Sequence, residues 1–234
     1  MRRVLAFERV RAQSLRSTWV FPLVGLAISV MSAVLGNATA SDGWSATLTD
    51  YVASSYTFLS VLFITVPFAQ AFGHEYRDGT MRLTLSLFPH RRQVFAAKLA
   101  VPAAVATAGA VVSVLAVAGI GLASGHVTDA GALGSILLRC IGFTVMWGLL
   151  VAALTALTRN LAAGVTGVLI WYVLGEQLLL SLLGNKFPDL ERYTPLVNGQ
   201  QWVSTGAYRG ALVMAVPTLA LTLLALWRFE HKDA

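Results

Sequence analysis

The sequence is short of charge, of cysteine and of catalytic motifs, and each shortage excludes something. Only 12% of its 234 residues are charged, where a soluble globular domain carries about 25%. Hydrophobic residues make up 56% and the mean hydropathy is +0.70. A water-soluble chain of this length could not hide so much apolar surface. Cys140 is the single cysteine and stands in an apolar run, which excludes an intrachain disulfide framework or cysteine-based metal site. No G-x-x-x-x-G-K-[ST] loop occurs, and Gly184-Asn185-Lys186 does not supply one, so the usual cradle for ATP phosphates is missing. His74-Glu75 is followed by Tyr76, Arg77 and Asp78, without the second histidine of a zinc helix. The four histidines fall in separate segments, and neither Cys140 nor Glu176 alone makes a catalytic set.

What the chain does have is apolar runs long enough to cross a bilayer. They predict an all-α polytopic membrane protein, one transmembrane domain over residues 1–234, with spans near 19–36, 55–73, 97–124, 133–157, 161–184 and 210–227. The third run is longer than the bilayer needs, which predicts tilt or an interfacial start. Pro67 and Pro217 lie inside spans and can bend them by removing amide donors. Ala163 and Gly167, and Gly121 and Gly125, are small pairs at helical spacing and candidates for close helix packing. The first run also has features of a cleaved leader, with Arg2 and Arg3 before it and Ala38-Thr39-Ala40 after it. Its charged lead-in extends through Arg16, and the run from Trp19 to Gly36 is long enough to span, so an uncleaved helix is predicted.

The net charge is +6, but the basic residues sit between apolar runs, so membrane orientation explains them better than nucleic acid. Thirteen of the 17 basic residues lie in or beside segments on one side, in the amino-terminal 18 residues, residues 74–98, Arg159 and the carboxyl end. Only Arg139, Lys186, Arg192 and Arg209 fall toward the other side. The positive-inside rule then predicts both termini in the cytoplasm. Residues 1–18 alternate Arg2, Arg3, Arg9, Arg11 and Arg16 with Val4, Leu5, Phe7, Val10 and Leu15. This pattern predicts an amphipathic helix on the membrane surface, the alternative being a basic tail. Tyr193, Trp202 and Tyr208 read as aromatic anchors on the outer side.

The most informative polar stretch is residues 74–95, between the second and third spans. Asp78 or Thr80 can cap a short helix, and Gly79 can make the turn into it. Met81, Leu83, Leu85 and Leu87 are more apolar than a solvated loop requires, and Phe88-Pro89 ends the element before Arg91-Arg92. A short interfacial helix able to receive another protein fits, and so does a basic loop that only sets topology. Three polar residues stand apart in or beside spans. Gln70 can hydrogen-bond a neighbouring helix. Glu176 can line a path, pair with Arg139 near the outer side, or sit at a span boundary.

Glu75, Gly79, Thr80, Pro89, Arg91 and Lys98 fall where ABC-2 type transporter permeases place Glu, Gly-Thr, Pro, Arg and Lys, and the segment resembles the signature region of that family. The basic amino-terminal segment is similar to the family's interfacial elbow helix. The resemblance implies a membrane subunit, of exporter-like type, in a bacterial plasma membrane, moving an unidentified substrate. It implies coupling to a separate ABC ATPase through residues 74–92, with Glu75, Arg77, Asp78, Gly79, Thr80, Leu85, Pro89, Arg91 and Lys98 as coupling residues. It also implies pairing with a second permease subunit. ATP and Mg would then sit on the ATPase, with no cofactor on this chain and no nucleic acid among its partners. The competing reading is a secondary transporter or channel without an ATPase, with Glu176 as an ion site.

Overall fold

The computed structural model describes residues 1–40, 45–56, 58–127, 131–184 and 186–232. Residue 57 of the predicted second span, and parts of the predicted outer segments at 41–44, 128–130 and 185, lie outside the described residues. The secondary structure of the described residues is helical: α1 (Arg2–Ser14), α2 (Arg16–Thr39), α3 (Leu48–Ser55), α4 (Phe58–Arg77), α5 (Met81–Leu87), α6 (Arg91–Ala123), α7 (Leu133–Thr158), α8 (Leu161–Ile170), α9 (Leu179–Leu183), α10 (Pro195–Thr205) and α11 (Tyr208–Lys232). A π-helical segment, Trp171–Leu178, joins α8 to α9, and a 3-10 turn, Pro188–Tyr193, precedes α10. No sheet occurs among the described residues, only one isolated bridge between Ala46 and Val127.

Among the described residues, five helical stretches are long and apolar enough to cross a membrane: α2, α6, α7, the continuous Leu161–Leu183 stretch, and Tyr208–His231 of α11. The pair α3 and α4, bent by 60°, makes a sixth when counted as one span. The expected polar loop before the second span is therefore helical from Leu48, where Thr47 accepts a hydrogen bond from the Asp50 amide and caps the first turn. Two other boundaries also move. The last turn of α4 takes in His74 to Arg77, and α6 begins at Arg91, so much of the 74–95 segment continues the spans on either side. The outer segment at 185–209 contains the helix α10, whose apolar positions are too few and too closely followed by polar ones to signal a helix by periodicity.

α7 is the centre of the bundle. Its span is 61% buried, against 17–33% for the other four, because α4, α6, α8, α10 and α11 all pack on it. Small residues let them approach, and Gly148 receives the Phe68 ring from α4. Around this contact Phe143, Trp147 and Tyr172 form an edge-to-face series with centroids 5.6 and 5.8 Å apart. Of the small pairs, Gly121 packs beneath Tyr51, while Gly125 has φ +74° and makes the turn after α6. Tyr193 and Tyr208 are exposed, and Trp202 is half-buried against Gly142.

Gly148→Ala should cost about 1–3 kcal/mol, because a Cβ there overlaps the Phe68 ring. Thermal unfolding in detergent measures it. Combining it with Phe68→Leu should recover part of the loss; a second variant as unstable as the sum of the two would mean that the contact does not limit packing.

Candidate functional site

At the end of the bundle where α4 stops and α6 starts, four charged side chains from three helices meet away from solvent. Glu8 and Arg11 come from α1, Glu75 from α4 and Lys98 from α6; Glu8, Glu75 and Lys98 are 2%, 4% and 0% exposed. Lys98 Nζ lies 2.5 Å from Glu75 Oε1 and 2.9 Å from Glu8 Oε1. Arg11 Nη2 lies 3.0 Å from Glu8 Oε2, and Arg11 Nη1 pairs with Glu75. Both cations also donate to the carbonyl of Ala71, at 2.7 Å from Arg11 and 3.1 Å from Lys98. The set has two charges of each sign, so it can be buried where one charge or an unequal number could not. Burial still pulls the Arg11 guanidinium below its usual pKa, with Glu8 opposing that shift.

Helical spacing assembles the cluster. Glu8 and Arg11, three apart, share one face of α1, and that face sits on α6, where Val94, Phe95, Ala97 and Lys98 are buried. Phe72, Phe95 and Phe229 pack together beneath the charges with centroids 5.3–6.2 Å apart. Lys98 Nζ stands 5.9 Å from the centroid of Phe72. A cavity of about 20 Å³ beside the cluster is lined by Glu8, Arg11, Thr18 and Gln70, space for about one water. Gln70 is buried and accepts a hydrogen bond from Thr18 at 3.4 Å, so it links α4 to α2 as a helix-bridging amide.

From the cluster the chain turns sharply. Gly79 has φ +67°, and the Thr80 amide reaches back 3.0 Å to the carbonyl of Glu75, the long bond of a Schellman ending. The turn thus hangs on the residue that carries the buried carboxylate. Neither Asp78 nor Thr80 caps α5: Thr80 is in the helical region with no side-chain cap bond, and Asp78 pairs with Arg77 on the surface at 2.9 Å. That hydrogen bond holds the Asp78 carboxyl below the usual carboxylate range. α5 turns Met81 and Thr84 inward and leaves Leu83 and Leu87 exposed, with Leu85 half-buried. Pro89 separates α5 from α6, and Phe88 packs on Phe7 of α1 at 5.6 Å. Arg91 donates to the carbonyl of Glu230 at 2.6 Å, at the end of α11, and Arg92 pairs with the Glu230 carboxylate.

Glu75 and Lys98, two of the coupling residues that the resemblance implies, face the interior of the chain, where Glu75 pairs with Arg11 and Lys98. Arg91 is held to α11. Sequence reasoning missed Glu8 and Arg11 as partners; the available signal was that Glu8 is the sole acid before Asp42, three residues from Arg11.

Near the other end, Glu176 and Arg139 do not pair with each other. The Glu176 carboxylate accepts from the amides of Leu196 at 2.9 Å and Val197 at 2.8 Å, and from Trp171 Nε1 at 2.7 Å. Arg139 Nη1 donates to the carbonyls of Val203 at 2.9 Å and Ser204 at 3.4 Å. The acid thus holds the start of α10 and the base holds its end, each at the pole of the helix dipole that suits it. The π-helical turns place Glu176 there.

Deleting one charge of the cluster leaves its partners buried and unbalanced, at a cost of about 3–5 kcal/mol. Glu8→Gln and Lys98→Met should each lower the melting temperature and the amount in membranes. The combined variant, again neutral, should be milder than the sum of the two. Additive losses in thermal unfolding would show that the two side chains do not interact.

The family described as "ABC-2 family transporter protein" matches residues 12–176, from the end of α1 to Glu176. No curated protein matches the chain. The matched region holds Gln70, Glu75, Lys98 and Arg139, while Glu8 and Arg11 lie just before it. Membership implies a separate ATPase subunit. The match covers well over half of the chain, which belongs to the ABC-2 family and is an ABC-2 type permease subunit of a multi-pass membrane transporter.

Proposed function

We propose that residues 78–90 dock on the separate ATPase, and that the buried charge cluster passes the resulting force to α1 and the bundle. The observation that carries this reading is the outward face of α5. Leu83 and Leu87, one turn apart, are 62% and 60% exposed, on a helix anchored from behind by Met81 and Thr84. Apolar side chains on an anchored helix suit a partner groove, and the exposed Arg77, Asp78 and Thr80 rim it. Glu75 and Lys98 then act behind the surface: displacement of α5 pulls on the Gly79 turn, the end of α4, and through Glu75 on Arg11 and Lys98. In this reading α1 is an interfacial elbow, both termini are cytoplasmic, two permease subunits of the same or similar kind work together in a bacterial plasma membrane, and the substrate is exported. The ion-coupled alternative loses its main support, since the Glu176 carboxylate already accepts two amides and an indole N–H.

Leu83→Asp and Leu87→Asp should leave membrane abundance unchanged, because both side chains are exposed. Each should weaken copurification of the ATPase roughly tenfold or more, the effect of losing an interface anchor worth about 2 kcal/mol. Leu85→Asp is a poorer probe, since its half-buried position mixes folding with docking. Gly79→Pro should lose both abundance and association, as proline cannot adopt the positive φ. Normal association in well-expressed Leu83 and Leu87 variants would refute docking through α5.

Orientation is tested with single cysteines in a Cys140→Ala background. A membrane-impermeant thiol reagent on sealed cells should label a cysteine at Tyr208, which is 83% exposed, and not one at Thr80. Asn198, though in an outer segment by sequence, is unsuitable: it is buried, with its amide donating to Glu191 and Thr194 carbonyls. Labelling at Thr80 without Tyr208 would reverse the orientation.

A further inference from the structure

At the end of the bundle opposite α5, a cavity of about 400 Å³ opens between α3, α10 and Phe143 of α7. That volume is ordinary for a small-molecule site. Its mouth is polar: Asp50 and Ser54 of α3 and Gln201 of α10 are exposed there, with Gln200 and Ser204 half-buried beside them. Its floor is aromatic, made by Tyr56 and Phe143, which are 3% and 2% exposed.

The hydrogen bonds already made decide what this lining can still take. Ser54 donates its hydroxyl proton to the Tyr51 carbonyl at 2.9 Å, and Ser204 donates to the Gln201 carbonyl at 3.1 Å. Each hydroxyl is left with lone pairs alone. Gln201 directs its amide nitrogen to Glu191, so its amide oxygen is the end without a partner. Gln200 is the reverse, its oxygen accepting from the Tyr172 hydroxyl at 2.8 Å and its nitrogen remaining as a donor. Asp50 accepts from Thr47 Oγ1 at 2.7 Å through Oδ2, and among the described residues no cation pairs with it. Arg139 is off the lining and committed to the Val203 and Ser204 carbonyls.

The cavity therefore presents mainly acceptors around a carboxylate that has no counter-ion. An anion is repelled. A bare hard cation finds one carboxylate where it takes about six to eight oxygens, and it has no use for an aromatic floor. A ligand with a positive charge, several N–H donors and an apolar body meets every part. Its charged end sits beside Asp50 and the free acceptors, and its body lies against Tyr56 and Phe143, whose rings also attract cations. We propose that this cavity binds a small organic amine, protonated at neutral pH and carrying an apolar group.

Three probes with the same apolar body test it: naphthylmethylamine, naphthylmethanol and naphthylacetate. Binding to the permease in phosphatidylcholine nanodiscs is measured at neutral pH by isothermal calorimetry, with the signal of empty nanodiscs subtracted. The amine should bind at least tenfold more tightly than the alcohol, and the carboxylate should not bind. Asp50→Asn changes an exposed side chain and keeps the cap that Thr47 makes to the amide of residue 50. It should weaken the amine to the level of the alcohol. Ser54→Trp, which fills the mouth, should remove binding of both, and either variant serves if the other is poorly produced. An alcohol bound as tightly as the amine would make this a site for hydroxylated ligands and overturn the proposal. Amine binding unchanged in either variant, or none beyond that of empty nanodiscs, would overturn it too. Calcium bound in place of the amine, and lost in Asp50→Asn, would assign the carboxylate to a metal with the same result. Every readout is taken on the permease without its ATPase, so failure here and failure of the docking proposal are separable.

Discussion

The ion cluster of Glu8, Arg11, Glu75 and Lys98 is the constraint on which the end of the bundle where α4 stops and α6 starts depends. α1 is a short helix with a modest apolar face, and such a helix on its own would be marginal in water or at a membrane surface. It is fixed because two of its side chains, of opposite sign, supply the buried Glu75 and Lys98 with further partners. Glu75 alone or Lys98 alone, nearly or wholly inaccessible to solvent, would be untenable. Buried ion pairs add little net stability over apolar packing, but removing one partner is costly. Such a cluster therefore penalises any arrangement in which α1 leaves its place. The chain gains a single register among α1, α4 and α6 rather than a large gain in stability.

The same logic recurs wherever a helix ends inside the protein. The last carbonyls of a helix lack partners within it, and in a membrane no water is at hand to supply them. Here arginines supply them. Arg139 serves α10, Arg91 serves α11, and Arg228 reaches the Leu157 carbonyl at 2.8 Å at the end of α7. Where an amino end is buried, Glu176 supplies acceptors. Long polar side chains in and beside the spans thus have bland partners, backbone groups, and this accounts for their tolerance in an apolar surrounding. It also separates them from α5, whose exposed Leu83 and Leu87 have no partner within the bundle.

The sequence by itself determined the class of protein. Long apolar runs separated by basic segments admit few alternatives, because an unpaired backbone cannot cross hydrocarbon and a helix pairs its own. The runs at α2, α6, α7, α8 to α9 and α11 were legible for that reason, as was the turn at Gly79, and the resemblance around Glu75 and Lys98 pointed to the family. The tertiary structure alone decided the partners. Which charge meets which depends on the rotation and depth of packed helices, and these are set by side-chain fit, as where Phe68 covers Gly148. So Glu75 proved to belong with Glu8 and Arg11, 64 or more residues away in sequence, and Glu176 and Arg139 proved to hold opposite ends of one helix. α10 itself was hidden because its stability comes from those two side chains and from α7 and α11, not from a periodic apolar face of its own.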